Sequence, residues 1–211
     1  MGTTPVSQSA YEIIFGELLD GLHPRLRPYF SATPDGYVGR GSGVFSVVGT
    51  PRRWLWPVLW VLSRQAILFP VWGHDIPFLV ENRRVLDKHG NTSVAGVRIY
   101  QFAKRDRVMI DAITAETHGL VDYLGTRRRL VPVFSGAVVD GMLRLTSTRT
   151  DLRVGRGLLR IPRWASPRVT LTERFDESTS LQSVSVVLIA PLVGKLYEYA
   201  GSFTYEVVPD R

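Results

Sequence analysis

The 211-residue chain is 45% hydrophobic and 21% charged, a globular composition with enough apolar material for one substantial core. It contains no cysteine, which excludes disulfides, thiolate nucleophiles and thiolate metal sites. The formal charge of +7 comes almost wholly from arginines, and these are scattered with no nucleic-acid module around them, so no nucleic-acid partner is expected.

No Gly/Ser-rich or charge-rich linker divides the sequence, and residues 1–211 are read as a single domain. Met1 to Val6 shows no basic segment leading into an apolar one, so a cytoplasmic location is the default expectation. Ser9-Ala10-Tyr11-Glu12 has the form of a capping box, and Tyr11, Ile14, Leu18 and Leu22 follow at helical spacing. A helix is therefore expected over residues 9–22, stopped by Gly21 and Pro24. His23, in its exit turn, is read as a surface or capping residue.

Residues 37–48 read as the first strand. Gly39, Gly41 and Gly43 fall on one face, leaving a strip where another element can approach or the sheet can bend sharply. A dinucleotide-binding loop is excluded, because the glycine spacing is wrong and Val44 to Val48 continues as strand. Residues 50–66 form the most apolar stretch. Thr50-Pro51 suits a helix start, and Trp54, Trp56 and Trp60 lie in a run far shorter than the roughly 20 residues that cross a bilayer. A helix apolar all round is buried, caps a cavity or lies in a membrane interface. Burial is the expectation, since three exposed tryptophans would make a patch that soluble monomers avoid.

From residue 78 to 208 the pattern is that of antiparallel strands. They are expected at 78–83, 94–103, 108–116, 120–124, 130–139, 142–148, 152–159, 169–175, 181–190 and 196–208, with a turn at 87–91. Asp140-Gly141 is a strong type I′ hairpin signal. Strands in such succession close on themselves to remove their edges, so the fold expected is a mainly β, closed or nearly closed antiparallel barrel. The N-terminal helices pack on it or cap it. Beyond about eight strands a barrel can leave an interior cavity.

No metal-ligand spacing, nucleophile elbow or phosphate loop is present, and no cofactor or metal is expected. Candidate site residues are polar or aromatic groups whose strand alternation points them inward. Asp111 shares a face with Met109 and Ile113. A two-residue turn at Arg105-Asp106 would set Tyr100 opposite it and Arg98 on its diagonal, a partner that a buried carboxylate needs. A structural ion pair is the competing reading of the same residues. Glu173 shares a face with Val169, Leu171 and Phe175, so the alternation that buries them would bury it, and Tyr197, Tyr199, Phe203 and Tyr205 form an aromatic wall. Asp122-Tyr123 can take either of two registers, which leaves open which side chain points inward.

Leu22-His23-Pro24, Gly39-x-Gly41-x-Gly43, Phe69-Pro70, Ile76-Pro77-Phe78, Glu81-Asn82, Arg98, Asp111, Asp122-Tyr123-Leu124-Gly125, Leu143-Arg144-Leu145 and Tyr199-x-Gly201-x-Phe203 together resemble a bacterial family known as domain of unknown function 4166. The resemblance implies no established activity or catalytic residues. Some members are fused behind nucleotide-dependent oxidoreductase-like domains, which implies an accessory ligand-binding role. The leading expectation is a barrel that binds an apolar small molecule or lipid through Arg98, Tyr100, Asp111, Glu173, Tyr199, Trp56 and Trp60. The alternatives are a barrel enzyme of isomerase or cyclase type using Asp111 or Glu173 as acid or base, and a peripheral membrane protein docking through the Trp-rich segment.

Overall fold

The computed structural model describes residues 8–86, 92–155, 157–162, 166–191 and 193–210; the expected turn at 87–91 lies outside them. Twelve strands follow in chain order: β1 (Tyr37–Gly49), β2 (Trp72–Gly73), β3 (Ile76–Leu86), β4 (Thr92–Tyr100), β5 (Arg107–Glu116), β6 (Gly119–Asp122), β7 (Leu130–Val139), β8 (Met142–Val154), β9 (Gly157–Arg160), β10 (Arg168–Asp176), β11 (Leu181–Ala190) and β12 (Gly194–Pro209). Each is antiparallel to its neighbours. Pairing of β8 with β10 and of β12 with β1 closes ten of them into a barrel, with β2 and β9 as added strands on β1 and β8. Closure leaves no long open edge, as so many short-turned strands require. Asp140 and Gly141, at φ 51° and 76°, make the expected hairpin turn between β7 and β8. The segment 152–159, expected as one strand, is the end of β8 and most of β9. The chain reverses at Gly155, whose φ of +59° a glycine adopts without a Cβ penalty.

The two ends of the barrel are closed differently. One is plugged by α1 (Ala10–Phe15), a 3-10 turn (Gly16–Gly21) and α2 (Arg27–Phe30). The capping box at Ser9 and Glu12 forms as expected, but the helix ends at Gly16, whose φ of 49° breaks the α-helical run six residues before Leu22. Ala10, Tyr11, Leu22, Leu26 and Phe30 insert into the barrel against Leu120, Phe134, Leu143 and Leu145. His23 fastens the plug from outside, its Nε2 lying 2.7 Å from Glu177 Oε1 and its ring stacking on Phe175.

At the other end lies α3 (Trp56–Ser63), preceded by a 3-10 turn (Arg53–Leu55). Thr50 does not start this helix; its Oγ1 accepts from Arg52 N at 3.2 Å, and the α-helix begins later. Pro57 explains the delay. An α-helix running from Pro51 would need the Pro57 N–H, whereas in the first turn of a helix that begins at Trp56 the missing donor costs nothing. The expectation that this helix is buried is corrected. Only Leu59 is fully covered, with Leu55, Trp56 and Leu62 packed on the core, while Trp54 and Trp60 remain 61% and 50% exposed. A two-turn helix on the barrel's end has one face to bury and no second layer to cover the other.

Inside, Gly39, Gly41 and Gly43 of β1 form a strip against the aromatic side chains of β12. A Cβ on Gly43 would sit 2.1 Å from the Ser202 carbonyl oxygen and 2.5 Å from Phe203 Cβ, both held by the β1–β12 ladder. Phe45 stacks on Phe78, the centroids 3.8 Å apart, and Phe203 meets Phe78 edge-on at 5.6 Å. Gly43→Ala is expected to destabilise the barrel by about 2–3 kcal/mol because backbone, not a flexible side chain, must move. Gly157→Ala on exposed β9, with no atom nearer than 3.8 Å, should change stability little. Urea unfolding of both variants measures the contrast, and equal costs would refute the account of the strip.

Candidate functional site

Halfway down the barrel, β3, β4, β5, β6 and β10 turn polar side chains into an otherwise apolar interior. Arg98 of β4 donates from Nη1 to Asp111 Oδ2 on β5 at 2.8 Å, with both side chains largely buried. Its Nη2 lies 3.4 Å from the hydroxyl of Tyr29, which the plug delivers from below. Gly96 faces Asp111 across the β4–β5 ladder, and a Cβ there would come within 2.2 Å of Asp111 Oδ1; only glycine leaves room for the carboxylate. The expected register placed Tyr100, four residues later, opposite Asp111. The β4–β5 connection runs from Gln101 to Asp106 instead of turning at Arg105-Asp106, and because the shift is even, the same side chains still point inward.

Two more carboxyl groups share this interior. Glu173 of β10 accepts from Gln182 Nε2 of β11, and burial raises its pKa from 4.5 to about 7 against the opposing effects of that bond and of Arg98. Asp122 of β6 sits diagonally across from Asp111. Burial, then the charge of Asp111, push Asp122 well above the usual carboxylate range, and Arg98 offsets this only in part. Asp122 Oδ1 has no hydrogen-bond partner among the described residues.

Above this layer, toward α3, the interior opens into an apolar cavity of about 150 Å³. Met109, Asp122, Phe134, Val186 and Tyr199 are its buried floor, and Leu68, Leu124, Leu130, Ile161, Pro167 and Leu188 are its partly exposed rim. Among the described residues Asp122 is the one carboxyl group that lines it, and burial pushes the adjoining Tyr199 phenol up as well.

The sequence-derived candidates are thus divided. Arg98 and Asp111 meet as an interior pair below the cavity; Tyr100 is wholly buried, its hydroxyl against Met109 Sδ at 3.9 Å. Glu173 belongs to the same layer, and of the seven candidates only Tyr199 lines the apolar cavity. Trp56 packs on the core with its Nε1 3.5 Å from the Thr50 carbonyl oxygen, and Trp60 lies outside under the Arg64 guanidinium. Asp122 was left open by its two registers; Glu116 and Gly119 pair around a two-residue turn, which sends Asp122 inward and Tyr123 outward against Val121, Val131 and Val133.

Residues 22–203 match the family described as Domain of unknown function (DUF4166). The chain belongs to this family. The matched stretch contains Arg98, Asp111, Asp122, Glu173 and every residue lining the apolar cavity, while α1 precedes it. The chain is also 26% identical over 190 residues to the Uncharacterized protein YndH of Bacillus subtilis (strain 168), covering 88% of this chain and 91% of that protein. Neither description assigns an activity to the DUF4166 barrel.

Glu173 provides a direct measure of the interior's polarity. Between the ordinary value of 4.5 and about 7 the folded state holds a proton that the unfolded chain has released, so stability falls as pH rises through this window and the loss is complete above it. The shift corresponds to about 3 kcal/mol. Glu173→Gln, whose amide can still accept from Gln182, is expected to be more stable than the parent by up to that amount near pH 8 and by little near pH 4. Urea midpoints across this range test it; an unchanged slope with pH would place the proton elsewhere.

Proposed function

We propose that this DUF4166 barrel binds a small apolar molecule, or the apolar end of a longer one, that carries a single hydrogen-bond acceptor. The observation that supports it most is the apolar cavity whose floor holds the unpartnered Asp122 carboxyl group. A carboxyl kept neutral by burial donates a hydrogen bond, and in an apolar pocket that bond selects for a carbonyl or hydroxyl oxygen on the ligand. The volume narrows the class further. Drug-sized ligands occupy pockets of about 300–1,000 Å³, whereas a cavity of about 150 Å³ takes a group the size of benzene. A whole phospholipid is too large; a ring or a branched chain end is not.

The geometry does not favour Asp111 or Glu173 as an acid or base toward a ligand in the cavity. Asp111 is held by Arg98, Glu173 is held by Gln182, and neither lines the apolar cavity. Binding uses the cavity and Asp122, with Thr150, whose Oγ1 also has no partner among the described residues, on the cavity wall.

Cyclohexanone and methylcyclohexane are matched in shape and differ in one acceptor. Asp122→Leu should lower the cyclohexanone-to-methylcyclohexane affinity ratio about tenfold, the worth of one hydrogen bond of about 1.4 kcal/mol. Leu188→Trp, which fills the rim, should weaken both probes. Native mass spectrometry of the purified chain is expected to show a co-purified species of matching chemistry. Failure of both probes to bind, or a ratio unmoved by Asp122→Leu, contradicts the proposal.

A further inference from the structure

The outward face of α3 and of the 3-10 turn before it is apolar without a partner among the described residues. Trp54, Val58, Trp60 and Val61 are 61%, 59%, 50% and 55% exposed, and they cover the arc opposite Leu55, Leu59 and Leu62, which bind the helix to the barrel. Beside this arc runs a groove of about 490 Å³ formed by Trp60, Ser63, Arg64, Arg105, Asp106 and Arg107 among its walls. Arg64 stacks over the Trp60 ring at 3.7 Å, which fixes a guanidinium next to an exposed indole.

The groove gathers Arg64, Arg105 and Arg107 around a single carboxylate among its described lining residues, Asp106. Arg40, Arg83, Arg84 and Arg149 each lie within ion-pair distance of Glu81, Asp210, Asp35 or Asp151. Among the described residues, none of Arg64, Arg105 and Arg107 has such a carboxylate partner. Burial and the neighbouring charge of Arg105 both push the Arg107 guanidinium below its ordinary value. Arg127, Arg128 and Arg129 add three exposed cations on the loop that Thr126 N ties to the Gln65 carbonyl oxygen, directly after α3. Three guanidinium groups against the one carboxylate of Asp106 leave the groove net positive, which favours an external anion.

We propose that the α3 end of the barrel docks on anionic bilayers, with Trp54, Val58, Trp60 and Val61 entering the headgroup region and Arg64, Arg105 and Arg107 binding lipid phosphates. Tryptophan beside arginine is the composition of an interfacial helix, and guanidinium forks suit phosphate oxygens. No helix among the described residues is long and apolar enough to cross a membrane, so the contact of α3 is peripheral. A second copy of the chain fits less well, because a two-fold interface on this face would bring the same unpaired arginines together. A protein partner would need about 800 Å² and 20–30 residues on this side, more than a two-turn helix presents. Docking here sets the mouth of the apolar cavity, at Leu68 and Leu124, toward the bilayer, but it stands on α3 and the groove and does not depend on the cavity being filled.

Co-sedimentation of the full chain with phosphatidylcholine vesicles, with and without phosphatidylglycerol, tests this. Binding is expected to the anionic vesicles at low salt, to weaken as salt rises, and to be unaffected by free glycerol phosphate, which separates a bilayer from a soluble phosphate ligand. The Arg64→Glu/Arg105→Glu variant should bind at least tenfold more weakly, since each basic residue near an anionic surface contributes about fivefold. Trp54→Ser/Val58→Ser/Val61→Ser should also lose binding and, being altered only at exposed positions, should keep the parent's thermal unfolding. Brominated lipids should quench the tryptophan fluorescence of the parent. Leu188→Trp should sediment with vesicles as the parent does, so that a failed cavity and a failed docking face remain distinguishable. Absence of binding to anionic vesicles at low salt, equal binding by the variants, competition by glycerol phosphate, or a dimer in which this face is protected would each overturn the proposal.

Discussion

Among the described residues, one guanidinium serves three carboxyl groups in the interior of this barrel, and the rest of the architecture accommodates that imbalance. A buried charge is tolerated only when paired. Arg98 is committed to Asp111 by a 2.8 Å bond, and Gly96 leaves the space in which that pair fits. Glu173 and Asp122 therefore meet burial without a full counter-charge, and both are raised, Glu173 to about 7. Gln182 satisfies Glu173 with a neutral donor, whereas Asp122, which lines the cavity, has no hydrogen-bond partner for its Oδ1 among the described residues. The polar layer thus supports a plugged lower half and leaves one acid free in the upper half.

The plug and the cavity follow from how each end is covered. Tyr11, Tyr29 and Phe30 reach from the N-terminal helices into the barrel, with Tyr11 and Phe30 in edge contact at 5.0 Å, and fill that end to the level of Arg98. At the other end α3 lies across the rim, and the chain after it is tied down by backbone bonds from Ile110 N to the Ala66 carbonyl oxygen and from Thr126 N to that of Gln65. Leu68 and Leu124 remain at the opening. The α3 helix covers the barrel with one face only, so its other face stays apolar and exposed among unpaired arginines.

Much of this was legible in the sequence because strand alternation is insensitive to even errors of register. Arg98, Tyr100 and Asp111 were placed inside from periodicity alone, and a four-residue error in the β4–β5 pairing left them there. The barrel followed from recurrent turn signals, of which Asp140-Gly141 was the strongest. Asp122 was not resolved, since a one-residue change in the turn after Glu116 exchanges it with Tyr123 and no local composition decides between the two. The outer face of α3 was misjudged for another reason. Its sequence is apolar on every side, and whether a second layer covers it is a property of the assembled barrel, not of the helix. That Arg98, Asp111 and Glu173 fall below the cavity likewise depends on depth along the barrel axis, which alternation does not report.

The account rests on Asp122 being a neutral acid at the floor of an apolar cavity while Asp111 holds Arg98. Carboxyl-carbon NMR of the full chain with isotope-labelled aspartate, titrated from acid to neutral pH, observes that proton directly, and Asp122→Asn identifies its resonance. The account predicts that the Asp122 carboxyl remains protonated at a pH where exposed aspartates, with pKa values near about 3.9, have all ionised. An Asp122 resonance that titrates together with those exposed aspartates would contradict it.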